Sequence, residues 1–188
     1  MKNLFLIRHC QGAGEEPLIP LTAEGYNQAN KLASCMSELD IDVLISSPSL
    51  HAIHRLKPTA AQLRKPIVID ERIEERLLTI CDSSEGMEQL AQLFTYSAFE
   101  RIDEPTKGAT SVSGLSILSN ALDTQADNVA VMTNGHEVSH LLNHFGKEDD
   151  VREEGTSYMD VFVIRYRANQ LSLERVWSCG QTLELLHM

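Results

Sequence analysis

The tightest constraint on this chain is a short apolar run that stops abruptly on charge. Leu4-Phe5-Leu6-Ile7 has no polar interruption and is followed at once by Arg8 and His9. A strand covered on one face alternates apolar and polar residues. An unbroken run fits a strand covered on both faces, as inside a parallel sheet flanked by helices. Two more stretches repeat the pattern, Val43-Leu44-Ile45 before Ser46-Ser47 and Val129-Ala130-Val131-Met132 before Thr133. Ile67-Val68-Ile69, ahead of Asp70, makes a shorter strand. In open parallel sheets ligands bind just beyond the carboxyl ends of the strands. Arg8 and His9 therefore fall where chemistry is usually done; the plainer alternative is a strand closing on two solvated polar residues.

Helical spacing fills the intervals between these strands. A loop containing Gly and Pro, 11–20, precedes Thr22, which is placed to cap a helix with Leu21 and Tyr26 as a hydrophobic staple. Ala29, Leu32, Ala33 and Met36 form its sheet-facing stripe. Ser47 is a natural N-cap and Pro48 suits a first helical position, so a second helix is expected to open there. Pro58 should break or kink it, with resumption through Ala61 and Leu63. Met87, Leu90, Leu93 and Phe94 suggest an amphipathic helix over the strand ends, and a loop across 105–114 leads to another helix at 115–122. Val138, Leu141, Leu142 and Phe145 define one more. Two alternating strands, 161–167 and 171–177, meet at Ala168-Asn169 and read as a hairpin on the sheet edge. There is no internal repeat and no low-complexity segment.

A length of 188 residues suits a single domain spanning 1–188, and such a chain buries about 70% of its unfolded surface. The formal net charge of -11 argues against a broad nucleic-acid or anionic-membrane interface. It leaves room for a local cationic pocket. The four cysteines, at 10, 35, 81 and 179, show neither a Cys-x-x-Cys pair nor a disulfide framework. Leu4 to Ile7 is too short for the apolar region of a signal peptide, and no run reaches membrane-spanning length. A reducing, cytoplasmic setting is expected.

Ile7-Arg8-His9-Cys10-Gln11 resembles the Arg-His-Gly-Glu/Gln signature of the histidine phosphatase superfamily, in its phosphoglycerate-mutase-like branch, with Cys10 in the glycine's place. Leu21, Thr22, Gly25, Gln28 and Ala29 match a structural stretch of that family. Ser46-Ser47-Pro48-Ser49-Leu50-His51-Ala52 is similar to its Ser-Ser-Pro-x-x-Arg-Ala segment, with His51 standing for a phosphate-binding arginine. The stretch from Asp70 to Arg76 resembles Asp-x-Arg-Leu-x-Glu and puts Glu75 in the position of the acid. Thr133-Asn134-Gly135 stands where the family has Ser/Thr-His-Gly, so Asn134 replaces a second histidine. Read without the resemblance, the Glu and Arg cluster around Glu75 is a solvated face.

The resemblance implies a three-layer α/β/α sandwich with a mostly parallel sheet and an antiparallel edge near the C-terminus. It also implies a phosphohistidine formed at His9, Glu75 as proton donor, and a phosphate cradle of Arg8, His51 and Asn134. No metal and no cofactor are implied, because cationic side chains take the metal's role. Gln11, Arg55 and His136 are candidate auxiliaries at the rim. An imidazole lacks the guanidinium fork, and an amide carries no charge. The cradle is thus depleted. Two readings follow: an impaired phosphomonoesterase acting on a small phosphorylated molecule, or an inactive member binding a phosphorylated ligand or a protein partner. Two other chemistries are weaker. Cys10 has no Cys-x5-Arg phosphate loop after it, so a small buried thiol suits it better. His136, His140 and His144 recur at helical spacing like metal ligands, but opposite the apolar stripe, where solvent-facing histidines are the simpler account.

Overall fold

The unbroken apolar runs become the middle of a sheet with six strands among the described residues. The computed structural model describes residues 3–9, 21–71, 73, 126–134, 138, 159–167 and 170–179, with His9 and Asn134 described for their backbone. In chain order the elements are β1 (Asn3–His9), α1 (Ala23–Ser37), β2 (Val43–Ser46), α2 (Leu50–Leu63), β3 (Ile67–Ile69), β4 (Asn128–Asn134), β5 (Asp160–Arg167) and β6 (Gln170–Ser178). Their spatial order is β3-β2-β4-β1-β5-β6. The first four run parallel, and β5 and β6 close one side antiparallel. This is the α/β architecture with a mostly parallel sheet and an antiparallel edge that the sequence led us to expect.

The alternating directions of strand side chains explain why the central runs are apolar throughout. Phe5 and Ile7 of β1, Ala130 and Met132 of β4, and Val161 and Val163 of β5 share one buried cluster with Ala29, Leu32 and Met36 of α1 and Ala52 and Leu56 of α2. On the other face Leu4, Leu6, Val129, Val131, Phe162 and Ile164 are equally buried. Edge strand β3 differs, and its Val68 and Ile69 are exposed.

Helix α1 begins as expected, the Thr22 hydroxyl accepting the Gly25 N–H at 3.1 Å. Leu21 folds down over Gly25, where an added Cβ would lie 3.4 Å from its Cδ2, while Tyr26 stays half exposed. Helix α2 departs from expectation twice. Its N-cap is Ser49, not Ser47. The reason lies in the sheet: the Ser47 N–H still donates to the Met132 carbonyl of β4 at 3.2 Å, so the chain has not yet left the ladder. Pro58 does not interrupt the helix either. It removes one backbone donor, but Ala52 and Leu56 before it and Thr59 after it are all buried, and this packing favours helix on both sides of it.

The amino ends of the central strands are tied together by polar groups. The Asp42 Oδ2 accepts the backbone N–H groups of Asp127 and Asn128 at 2.9 and 3.0 Å. Asn128 donates through Nδ2 to the Leu39 carbonyl at 3.1 Å and accepts from Asn3 Nδ2 at 2.7 Å. Asn3 and Asn128 are register partners. Pinning them there fixes which residues meet at the far end of β1 and β4.

Candidate active site at the carboxyl edge of the sheet

The buried polar residues of the described sheet collect at one end. Ser46 and Ser47 close β2, Asp70 follows β3, Thr133 lies near the end of β4, Asp160 opens β5 and Ser178 closes β6. Because β5 runs antiparallel to β1, its first residue lies level with the carboxyl end of β1. A polar group without water or a partner is costly to bury, so such a concentration marks the end where the core gives way to a polar cleft. It is also the end where parallel sheets bind ligands.

Register brings two of the sequence-predicted residues into adjacency there. His9 of β1 is the register partner of Asn134 of β4, each at the last position of its strand. One step inward, Arg8 lies between Thr133 of β4 and Asp160 of β5 in a row across three strands. The connections out of β1 and β4 depart in opposite directions, to β2 on one side and β5 on the other. A crevice at such a point is the usual ligand position in an open α/β sheet.

Arg8 makes an ion pair at this edge. Its Nη2 donates to Oδ2 of Asp160 in an ion pair. The Asp160 side chain is wholly buried, whereas that of Arg8 is 17% exposed, so Arg8 is the member of the pair that reaches solvent. Phe162 floors it, its ring centroid 6.0 Å from Arg8 Cζ, within cation–π range. Asp160 Oδ1 is buried with no hydrogen-bond partner among the described residues, and so is Ser47 Oγ.

His51 is the second residue of α2, and Arg55 lies one turn further along the same helix; both are half-buried. At this spacing the two side chains are neighbours on the helix surface. Glu75, Gln11 and His136 lie outside the described residues, as do Cys10 and the histidines at 140 and 144. The expected helices at 87–94 and 115–122 lie outside them as well.

Sequence reading missed Asp160. It stands just before an apolar alternation, Val161 to Ile164, where a strand-opening aspartate looks like a solvated end. A carboxylate ahead of the antiparallel strand that flanks β1 was the available signal, and it acquires meaning only once Arg8↔Asp160 register is known. The described cysteines are buried thiols held in their protonated form. Burial pushes the Cys35 thiol up to about 12, with Glu38 adding to it. Burial also raises Cys179, against the opposing charge of Lys31.

Comparison with known proteins agrees with the fold. The sequence model of the histidine phosphatase superfamily (branch 1) matches residues 4–178. No curated protein matches the chain. The alpha-ribazole phosphatase of Shigella flexneri is similar with a TM-score of 0.52 at 16% identity, over 92% of this chain and 95% of that one. The mycobacterial glucosyl-3-phosphoglycerate phosphatase in its native form gives 0.51 at 11% identity, over 93% and 96%. The same mycobacterial protein in complex with inorganic phosphate gives 0.52 at 11% identity, over 93% and 95%. At such identities the likeness concerns the fold.

Proposed function

The chain belongs to branch 1 of the histidine phosphatase superfamily, and on that premise we propose that it hydrolyses a small phosphomonoester slowly, through a phosphohistidine at His9. The observation that supports this reading is the register that pairs His9 with Asn134 at the carboxyl edge, one position beyond Arg8. An imidazole nitrogen of His9 attacks phosphorus, and a P–N bond forms as the P–O bond to the leaving group breaks. Glu75 gives its proton to the leaving oxygen. Water then attacks phosphorus, the P–N bond breaks, and the proton released by water returns to Glu75. Such a reaction depends on positioning and charge stabilisation more than on covalent ingenuity.

Slowness follows from the cradle. Loss of one preorganised donor in a hydrolase costs about 10²–10³ in rate, and here His51 and Asn134 stand where two stronger donors are expected. Gln11, Arg55 and His136 are the rim donors available for partial compensation. The net charge of -11 suits a small ligand held locally better than a polyanion. Cys35 and Cys179 are free thiols, which accords with a reducing, cytoplasmic setting.

A second reading has its own support. Arg8 already holds a buried carboxylate, which favours an inactive member that binds a phosphorylated ligand or a protein partner through the inherited cleft. Hydrolysis of a generic aryl phosphate, with and without chelator and with His9→Ala as the blank, separates the two. Slow turnover above the blank, indifferent to chelator, is the expected result. Turnover equal to the blank selects the binding protein, and chelator-sensitive turnover overturns the metal-free route.

A further inference from the structure

We propose that Asp160 is an internal counter-ion of the phosphate site that makes the cleft select ligands by charge, disfavouring phosphoryl dianions relative to monoanions. The proposal rests on the reading of Arg8 as the phosphate clamp and concerns binding rather than turnover. Three observations carry it. Asp160 is the cross-strand partner of Arg8 and is joined to it through Oδ2 and Nη2. Its side chain has no exposure to solvent, so water does little to screen its charge from a group bound at Arg8. Its second oxygen, Oδ1, is buried and has no hydrogen-bond partner among the described residues, so that none of them takes up its charge.

The consequence is electrostatic. A guanidinium has five N–H donors, so an anion can still reach Arg8 while Asp160 occupies Nη2. What the anion meets is a neutral pair, not a free cation. His51 and Asn134, in place of an arginine and a histidine, add no permanent charge. A dianion doubles both the attraction to Arg8 and the repulsion from Asp160, because each energy scales with the product of the charges. The carboxylate therefore takes away about twice as much from a dianion's binding as from a monoanion's, and narrows the preference that Arg8 alone would give. Asp160 thus acts through Arg8 as a specificity-determining residue, without touching the reacting atoms.

The test is equilibrium binding of two probes, inorganic phosphate at mildly alkaline pH, where it is a dianion, and dimethyl phosphate, a monoanion. The unaltered protein is expected to bind the two probes with affinities less than tenfold apart. Asp160→Asn keeps the shape and an acceptor for Arg8 while removing the charge. It is expected to tighten phosphate binding on the order of 10-fold or more, like-charge contacts being costly at close range, with a smaller gain for dimethyl phosphate. A merely structural role would lower thermal stability and leave the ratio of the two affinities unchanged. An unchanged ratio in a folded Asp160→Asn protein, or in Asp160→Ser, overturns the proposal. So does a tenfold or greater preference of the unaltered protein for phosphate, which requires no variant. Turnover no higher than that of His9→Ala, with the Asp160-dependent shift in binding intact, counts against the hydrolase reading and supports the charge filter.

Discussion

Arg8 shows how much one residue's meaning depends on its neighbour across the sheet. As a letter it is a cation after an apolar run; in the fold its Nη2 is bound to a fully buried carboxylate, with an aromatic floor beneath it. On the proposed mechanism the pocket chemistry also turns on His51 and Asn134, and two substitutions probe it. His51→Arg would supply a bidentate, permanently charged donor, and Asn134→His a donor able to carry charge. On the proposed mechanism both act on the same phosphoryl oxygens, so their effects couple instead of adding. The double variant should therefore exceed the product of the single gains, with a total increase of roughly 10²-fold or more in aryl phosphate turnover. A phosphorylated His9 should become trappable in it under acid-free quenching. A folded double variant as inert as His9→Ala would show that the pocket has diverged beyond these positions.

At the scale of elements, the site is set by events at the opposite end of the sheet. Strands β1 and β4 begin as partners at Asn3 and Asn128 and end as partners at His9 and Asn134. A slip of one residue would turn every side chain of β1 to the other face, so the polar ties around Asp42 act on the cleft through register. Asp42→Ala should cost about 1–2 kcal/mol, less than a fully buried charged hydrogen bond because Asp42 is partly exposed. Urea unfolding monitored by circular dichroism measures this. A loss below a few tenths would show that the two N–H groups are satisfied equally well by water.

For the molecule as a whole, burial of a titratable core group links stability to alkaline pH. Desolvation raises the folded-state pKa of Cys35 from 9.0 to about 12. Below the unfolded value both states keep the proton and the contribution is fully present. Between 9.0 and about 12 the unfolded thiol ionises while the native one does not, so stability falls with rising pH by about 1.4 kcal/mol per pH unit from this group. The difference in unfolding free energy between the unaltered protein and Cys35→Ala should shrink or change sign across that window. A difference independent of pH would mean that the thiol is accessible in the native state. Cys179, also raised, contributes in the same direction and remains in both proteins.

What the sequence determined by itself was the arrangement of layers. Unbroken apolar runs specify strands covered on both faces, helical stripes specify the cover, and a polar stop after each run points to the carboxyl edge. These are local patterns, because burial imposes one requirement at each position. Even there, two local signals at α2 were overridden. Ser47 was held by β4 and could not serve as the cap, and the helix continued through Pro58 with buried residues on both sides of it. Only the tertiary structure decided the electrostatics of the cleft. Asp160 is 152 positions from Arg8, and nothing in the residues around it signals a partner. Charge interactions depend on distance in space and on the loss of water between the groups, and both are properties of strand register and burial rather than of neighbouring letters.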